Sequence, residues 1–215
     1  MRRTGYQRGD SRGSGGRASP RGRGGQVRLI AGRFRNRRLM VAPVPGLRPT
    51  PERTRETLFN WLQGRMAGAR VLDLFAGSGA LAFEALSRGA EHVVLIEQDR
   101  RAHQALREAA SILDPERCEV VRADALRWPR ERVLPFDLIL IDPPYAAGLA
   151  AAALAHILLK GLLAPDGRVY CEYRATDPAP WSAPEAGNWA LLRETRSGDS
   201  RGALLAAAEH HTCAV

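Results

Sequence analysis

The chain has 215 residues, 45% hydrophobic and 26% charged, which suffices for one core of ordinary size plus a small appendage. Its net charge of +9 is unevenly placed: residues 1–25 carry seven Arg and one Asp, residues 26–55 carry eight Arg and one Glu, and the remainder is negative by four. A basic extension on a mildly acidic body points to a polyanion, nucleic acid or an anionic membrane surface. No apolar run approaches the roughly 20 residues of a membrane span and no hydrophobic signal core is present, so a cytoplasmic protein without a membrane segment is expected. Cys118, Cys171 and Cys213 lack C-x-x-C spacing, and His210 and His211 are the only neighbouring histidines, so no disulfide framework or metal site is expected.

Residues 1–25 hold eight of the 21 glycines and almost no apolar side chains, a composition that predicts a disordered Arg/Gly-rich tail. From Val27, the run VRLIAG, the basic turn RFRNR and then RLMVAP predict a short β-hairpin whose tip carries Arg33, Arg35, Arg37 and Arg38. Thr50, Pro51 and Glu52 mark a helix start, and Leu58, Phe59, Leu62 and Met66 follow at helical spacing. Phe59 and Trp61 on that helix read as core residues. Arg48, Arg53 and Arg55 lie at or near the helix start, where the macrodipole disfavours cations, so an RNA phosphate would relieve them unless Glu52 and Glu56 pair with them instead. Residues 26–68 thus read as a nucleic-acid-contacting hairpin and helix, and residues 69–215 as the catalytic domain.

Beyond Arg70 the chain alternates apolar strand-like runs with helical stretches: VLDLFA, a helix over Ala80–Ser87, HVVLIE, a helix over Arg100–Ile112, CEVVRAD, FDLILID, a helix near Leu149–Leu159, and GRVYCEY. Such alternation predicts an α/β fold with a parallel sheet covered on both faces. After Trp181 it stops, and NWALLRETRSGDSRGALLAAAE reads as a closing antiparallel hairpin turning at Gly198 and Asp199.

The chemistry is concentrated at strand ends. Asp73-Leu-Phe75-Ala-Gly77-Ser-Gly79 closes the first strong strand and opens a helix, a tight turn whose backbone can approach a ligand. Glu97, twenty residues past Gly77 at the end of the next strand, suits a pair of ribose hydroxyls. Asp73 adds negative charge beside the turn, which fits a cationic ligand better than a pyrophosphate; S-adenosylmethionine carries a sulfonium and an ammonium and no phosphate. Asp124 follows the third strand, where it meets either an adenine amino group or a helix N-terminus. Asp142-Pro143-Pro144-Tyr145 follows the buried run FDLILI. Two prolines remove N–H donors and leave carbonyl acceptors beside a carboxylate, with an aromatic ring next in line, a constellation suited to the exocyclic amine of a planar base. Ser78 lies between glycines, but Ala76 occupies the place of the first glycine in a nucleophile elbow, so nucleophilic catalysis is not expected.

The D-x-F-x-G-x-G turn, the acidic strand end and D-P-P-Y together resemble a class I S-adenosylmethionine-dependent methyltransferase acting on an exocyclic amine. VRLIAGRFRNRRL, PGLRPTPERTRETLFNWL and EALSRGA extend the likeness to the RsmD family of 16S rRNA guanine-N2 methyltransferases, from Val27 to the closing hairpin. The resemblance implies a Rossmann-like, seven-stranded, mainly parallel sheet with a C-terminal antiparallel hairpin, and a 16S rRNA guanine as target. It also implies the assembled 30S subunit as substrate; a monomer is expected. By the same resemblance, Asp73, Phe75, Gly77 and Gly79 border the methionine moiety, Glu97 the ribose and Asp124 the adenine. Asp142 and the Pro143 carbonyl would hold the guanine amine, with Pro144 and Tyr145 completing the motif. Pro51 stands where the family more often has Thr, and Tyr145 replaces Phe, which preserves stacking. Two rivals remain at this level: a DNA adenine-N6 methyltransferase, which shares D-P-P-Y, and a non-catalytic RNA-binding assembly factor.

Overall fold

A computed structural model of the chain describes residues 25–44, 49–129, 131–144 and 148–208. The expected tail, apart from Gly25, and the candidates Arg48 and Tyr145 lie outside the described residues. In chain order the elements are β1 (Gln26–Arg28), β2 (Arg38–Met40), α1 (Glu52–Trp61), β3 (Arg70–Asp73), α2 (Ala80–Ser87), β4 (His92–Ile96) and α3 (Arg100–Leu113). They continue with β5 (Cys118–Val121), β6 (Phe136–Ile141), α4 (Leu149–Lys160), β7 (Leu163–Arg174), β8 (Trp189–Ser197) and β9 (Ser200–Ala207).

Seven strands form one sheet in the order β5-β4-β3-β6-β7-β9-β8, and β1 pairs with β2 in a separate antiparallel hairpin. Strands β3 to β7 run parallel, β9 is antiparallel to β7, and β8 is antiparallel to β9. Strand order reverses between β3 and β6, so the crevice outside their carboxyl ends is the expected ligand site of an open α/β sheet.

The apolar strands bury both faces because helices cover both. Val71, Leu138, Leu140 and Tyr170 pack with α1, α2 and α3, whereas Leu72, Ile139, Ile141 and Cys171 pack with α4. Leu29, Phe34 and Leu39 from the N-terminal hairpin belong to the first of these clusters, together with Leu58 and Phe59 of α1 and Leu62 just after it. The hairpin and α1 therefore share the core of the sheet, although the sequence marks them off by charge. Phe59 is buried, and Trp61 packs partly buried against the same cluster.

α2 is buried along its whole length, yet it carries Glu84 at 0% exposure. That carboxylate accepts from the backbone N–H of Ile30 and Ala31 and pairs with the guanidinium groups of Arg55 and Arg88. The far end of α2 holds the hairpin as well: Arg33 N–H donates to the Ser87 carbonyl at 2.7 Å, and Phe34 N–H to the Ser87 hydroxyl. Gly32 is required at this contact, since its φ is +79° and a Cβ would lie 1.7 Å from the Ser87 carbonyl oxygen.

Candidate active site

Side chains alternate across a strand, so Asp73, Asp142 and Glu172 continue the face of Val71, Leu140 and Tyr170. Asp73 is the partner of Leu140, and Leu140 of Tyr170, so Asp142 and Glu172 stand level with each other and two residues further along than Asp73. Three acids from adjacent strands thus converge at the carboxyl edge on the side covered by α1 and α2. Asp73 is 2% exposed and Glu172 5%. Among the described residues no salt bridge involves any of the three.

Burial raises the Asp73 pKa to about 8, with the charge of Asp142 second and that of Glu97 also contributing. Burial likewise raises Asp142 and Glu172, and the Asp142 charge raises Glu172 further. Desolvated acids that repel one another create a site where positive charge is favoured.

The turn after β3 is built as its glycines suggested. Gly77 and Gly79 both have positive φ, +51° and +74°, and a Cβ at Gly79 would come within 2.4 Å of the Phe83 ring. Glu97 joins this turn to β4: one carboxylate oxygen accepts Gly77 N–H at 2.9 Å and the other Asp99 N–H at 2.7 Å. Phe75, partly buried, donates its N–H to Asp73 Oδ1 at 3.3 Å. Asp73, Phe75, Gly77, Gly79 and Glu97 are thereby brought together at one strand-to-helix junction. Asp124 is engaged within its own turn, accepting Leu126 N–H at 2.9 Å beside Arg127 at 3.7 Å; no helix starts there, so it caps a turn and not the helix N-terminus expected as the alternative.

Asp142 is partly buried just beyond β6, followed by buried Pro143 and exposed Pro144. Thr50, two residues before the start of α1, donates its hydroxyl to Asp142 Oδ2 at 3.1 Å, so the N-terminal segment reaches directly into the site. The sequence showed Thr50 only as a helix start.

Among the basic candidates, Arg33, Arg35, Arg37, Arg38 and Arg53 are exposed. Arg33 is ion-paired with Asp114 at 2.8 Å and lies over the Phe34 ring at 4.5 Å. Arg55 corrects the expectation of phosphate contact. It is 2% exposed, donates to the carbonyls of Thr50 and Arg28, and pairs with Glu84 at 3.4 Å. Its position on the inward face of α1, between buried Thr54 and Leu58, commits it to the core. Glu172 and Glu84 were missed as well: Glu84 is the lone charge of the apolar helix α2, a pattern that signals a buried and partnered acid, whereas β7 also carries Asp166, Arg168 and Arg174, so nothing local singles out Glu172.

An open sheet of this strand order, with a glycine turn after β3 and an acid ending β4, defines a methyltransferase of Rossmann-like architecture. The family model described as conserved hypothetical protein 95 matches residues 27–206, and the chain belongs to that family. Over 174 residues it is 40% identical to ribosomal RNA small subunit methyltransferase D of Escherichia coli strain K12, covering 81% of this chain and 86% of that protein. The protein of the same name from Haemophilus influenzae is 39% identical over 179 residues, covering 81% of this chain and 90% of its own length. The solved structure of the methyltransferase yhhF from Escherichia coli superimposes with a TM-score of 0.75 at 39% identity, covering 84% of this chain and 97% of that one. The protein is a methyltransferase.

Proposed function

We propose that the protein transfers a methyl group from S-adenosylmethionine to the exocyclic N2 amine of a guanine in 16S rRNA, in the cytoplasm, acting as a monomer on the assembled 30S subunit. The observation that carries this reading is the placement of Asp142 and buried Pro143 at the strand-order reversal, beside buried acids with no cation paired to them among the described residues. The names of the relatives support rRNA of the small subunit as substrate.

The residues present fit the cofactor. Asp73 and its neighbours favour positive charge, the positive-φ turn at Gly77 and Gly79 allows close backbone approach, and Glu97, tied to that turn through Gly77 N–H, would accept the ribose hydroxyls on its remaining lone pairs. When bound, S-adenosylmethionine supplies a methyl carbon activated by a sulfonium.

Asp142 and the Pro143 carbonyl accept the two N–H bonds of the amine, and Tyr145 stacks on the base. A guanine amine is a poor nucleophile because its lone pair is delocalised into the ring; accepting its protons favours a pyramidal nitrogen aligned for attack. The Asp142 carboxylate, whose proton affinity is raised by burial, would hold the proton that the amine gives up on methylation. Catalysis is then positioning and electrostatics. Exposed Arg33, Arg35, Arg37, Arg38 and Arg53, with Arg48, supply phosphate contacts.

Transfer of labelled methyl to 30S particles, naked 16S rRNA and duplex DNA tests the assignment, with mass mapping of the modified nucleotide. Label at one guanine of 16S rRNA is expected. Label on DNA adenine would establish the rival enzyme, and no transfer to any of the three would leave a binding protein.

A further inference from the structure

Glu172 has no part in the steps above, yet β7 and β9 are both shaped around it. Its Oε1 accepts the Tyr170 hydroxyl at 3.0 Å within a buried stretch of β7. Its registry partner on β9 is Gly202, where a Cβ would come within 2.3 Å of that same hydroxyl. A residue with a side chain at 202 would displace Tyr170, and with it the group that orients Glu172. One accepted hydrogen bond leaves most of the capacity of a carboxyl unused.

Glu172 lies one strand over from Asp142 on the same face of the sheet, at neighbouring carboxyl ends. Adjacent strands are about 4.8 Å apart, close enough for two side chains to converge on neighbouring groups of one base edge. In guanine the group next to the N2 amine is N1–H, a donor. Adenine presents a lone pair at N1, which a carboxyl oxygen repels.

We propose that Glu172 selects guanine by accepting the N1–H of the base whose N2 amine Asp142 holds, with Tyr170 positioning the carboxyl. The inference rests on the guanine-amine reading given above. Burial, then the charge of Asp142, raises the proton affinity of Glu172; its carbonyl oxygen accepts N1–H whether or not the group carries a proton.

The probe is 30S particles reconstituted with 16S rRNA carrying either guanine or 2-aminopurine at the nucleotide the wild type modifies. 2-Aminopurine keeps the amine but has a lone pair at N1. The readout is the ratio of kcat/KM for the two bases. Glu172→Leu is expected to lower the ratio about 10- to 100-fold, mainly by slowing guanine, and Glu172→Gln, which keeps an accepting oxygen, to restore guanine turnover at least about tenfold over Leu. Tyr170→Phe removes one hydroxyl while keeping the ring, and should lower the ratio about threefold or more. It carries the test if the Leu variant fails to fold. Equal losses on both bases, or a ratio unmoved by Tyr170→Phe, would overturn the role of Glu172. A wild type that leaves the guanine particles unmethylated would overturn the underlying reading instead.

Discussion

The hairpin tip and the carboxyl edge of the sheet both concentrate one sign of charge, and water separates what each can do. Arg33, Arg35, Arg37 and Arg38 are exposed, so their attraction is screened and spread over distance, which suits the capture of a large polyanion. Asp73 and Glu172 are desolvated, so their charge costs stability and acts at contact, which suits one small cation or one base edge. Arg55 and Glu84 lie between the two regions as a buried opposite-charge pair that fastens one to the other. The same residue type therefore faces solvent at Arg53 and serves architecture at Arg55, two positions apart.

The sharpest break of this contrast is at Asp142. Asp142→Ala should lower methyl transfer by about 10³-fold or more while cofactor affinity by calorimetry stays nearly unchanged. Turnover within about tenfold of wild type on saturating 30S substrate would remove Asp142 from the chemistry. Next in size, Arg55→Ala should destabilise the fold by about 3–5 kcal/mol in urea unfolding, because it strips a buried partner from Glu84, whereas Arg53→Ala should leave unfolding unchanged.

A third effect follows from the raised Asp73 pKa of about 8 against an ordinary 3.8. The native state holds that proton more tightly than the unfolded chain, so the ligand-free protein should lose stability as pH rises from about 4 through about 8. Asp73→Asn should flatten this dependence in a pH series of thermal unfolding; an unaltered slope would show that Asp73 is ionised in the free protein. The smallest effect belongs to the tip: Arg35→Ala and Arg37→Ala should each make the slope of log affinity against log salt shallower by about one, with no change in Tm. Superimposable salt lines would mean that the tip touches no phosphate.

Much of the scaffold was legible because local signals agreed with the fold. α2 spans Ala80–Ser87 as its apolar run predicted, and the final hairpin turns at Gly198 and Asp199 between β8 and β9. β7 begins at Leu163, earlier than the run GRVYCEY suggested, because Pro165, Asp166 and Gly167 read as a break while Leu163 still pairs with Phe136 across an irregular register. At the candidate site, the positions of Asp73, Gly77, Gly79, Glu97 and Asp142 at strand ends and in a glycine turn were readable because such signals lie within a few residues. Thr50, Arg55 and Glu172 were not, since their partners lie far off in the chain or across a strand pair: Thr50 meets a carboxylate 92 residues away. A basic residue at a helix start looks the same in sequence whether it faces solvent or an acid on another helix.

The burial of α2 has a metrical consequence. Its first residue follows the glycine turn at Gly79, and its last, Ser87, is bonded to the hairpin tip through Arg33 and Phe34. Eight residues rise about 12 Å at 1.5 Å each, and the helix is buried on every side, so this length fixes the span between the hairpin's exposed arginines and the glycine turn. If the tip holds phosphate as proposed, that fixed span would decide which nucleotide can reach Asp142.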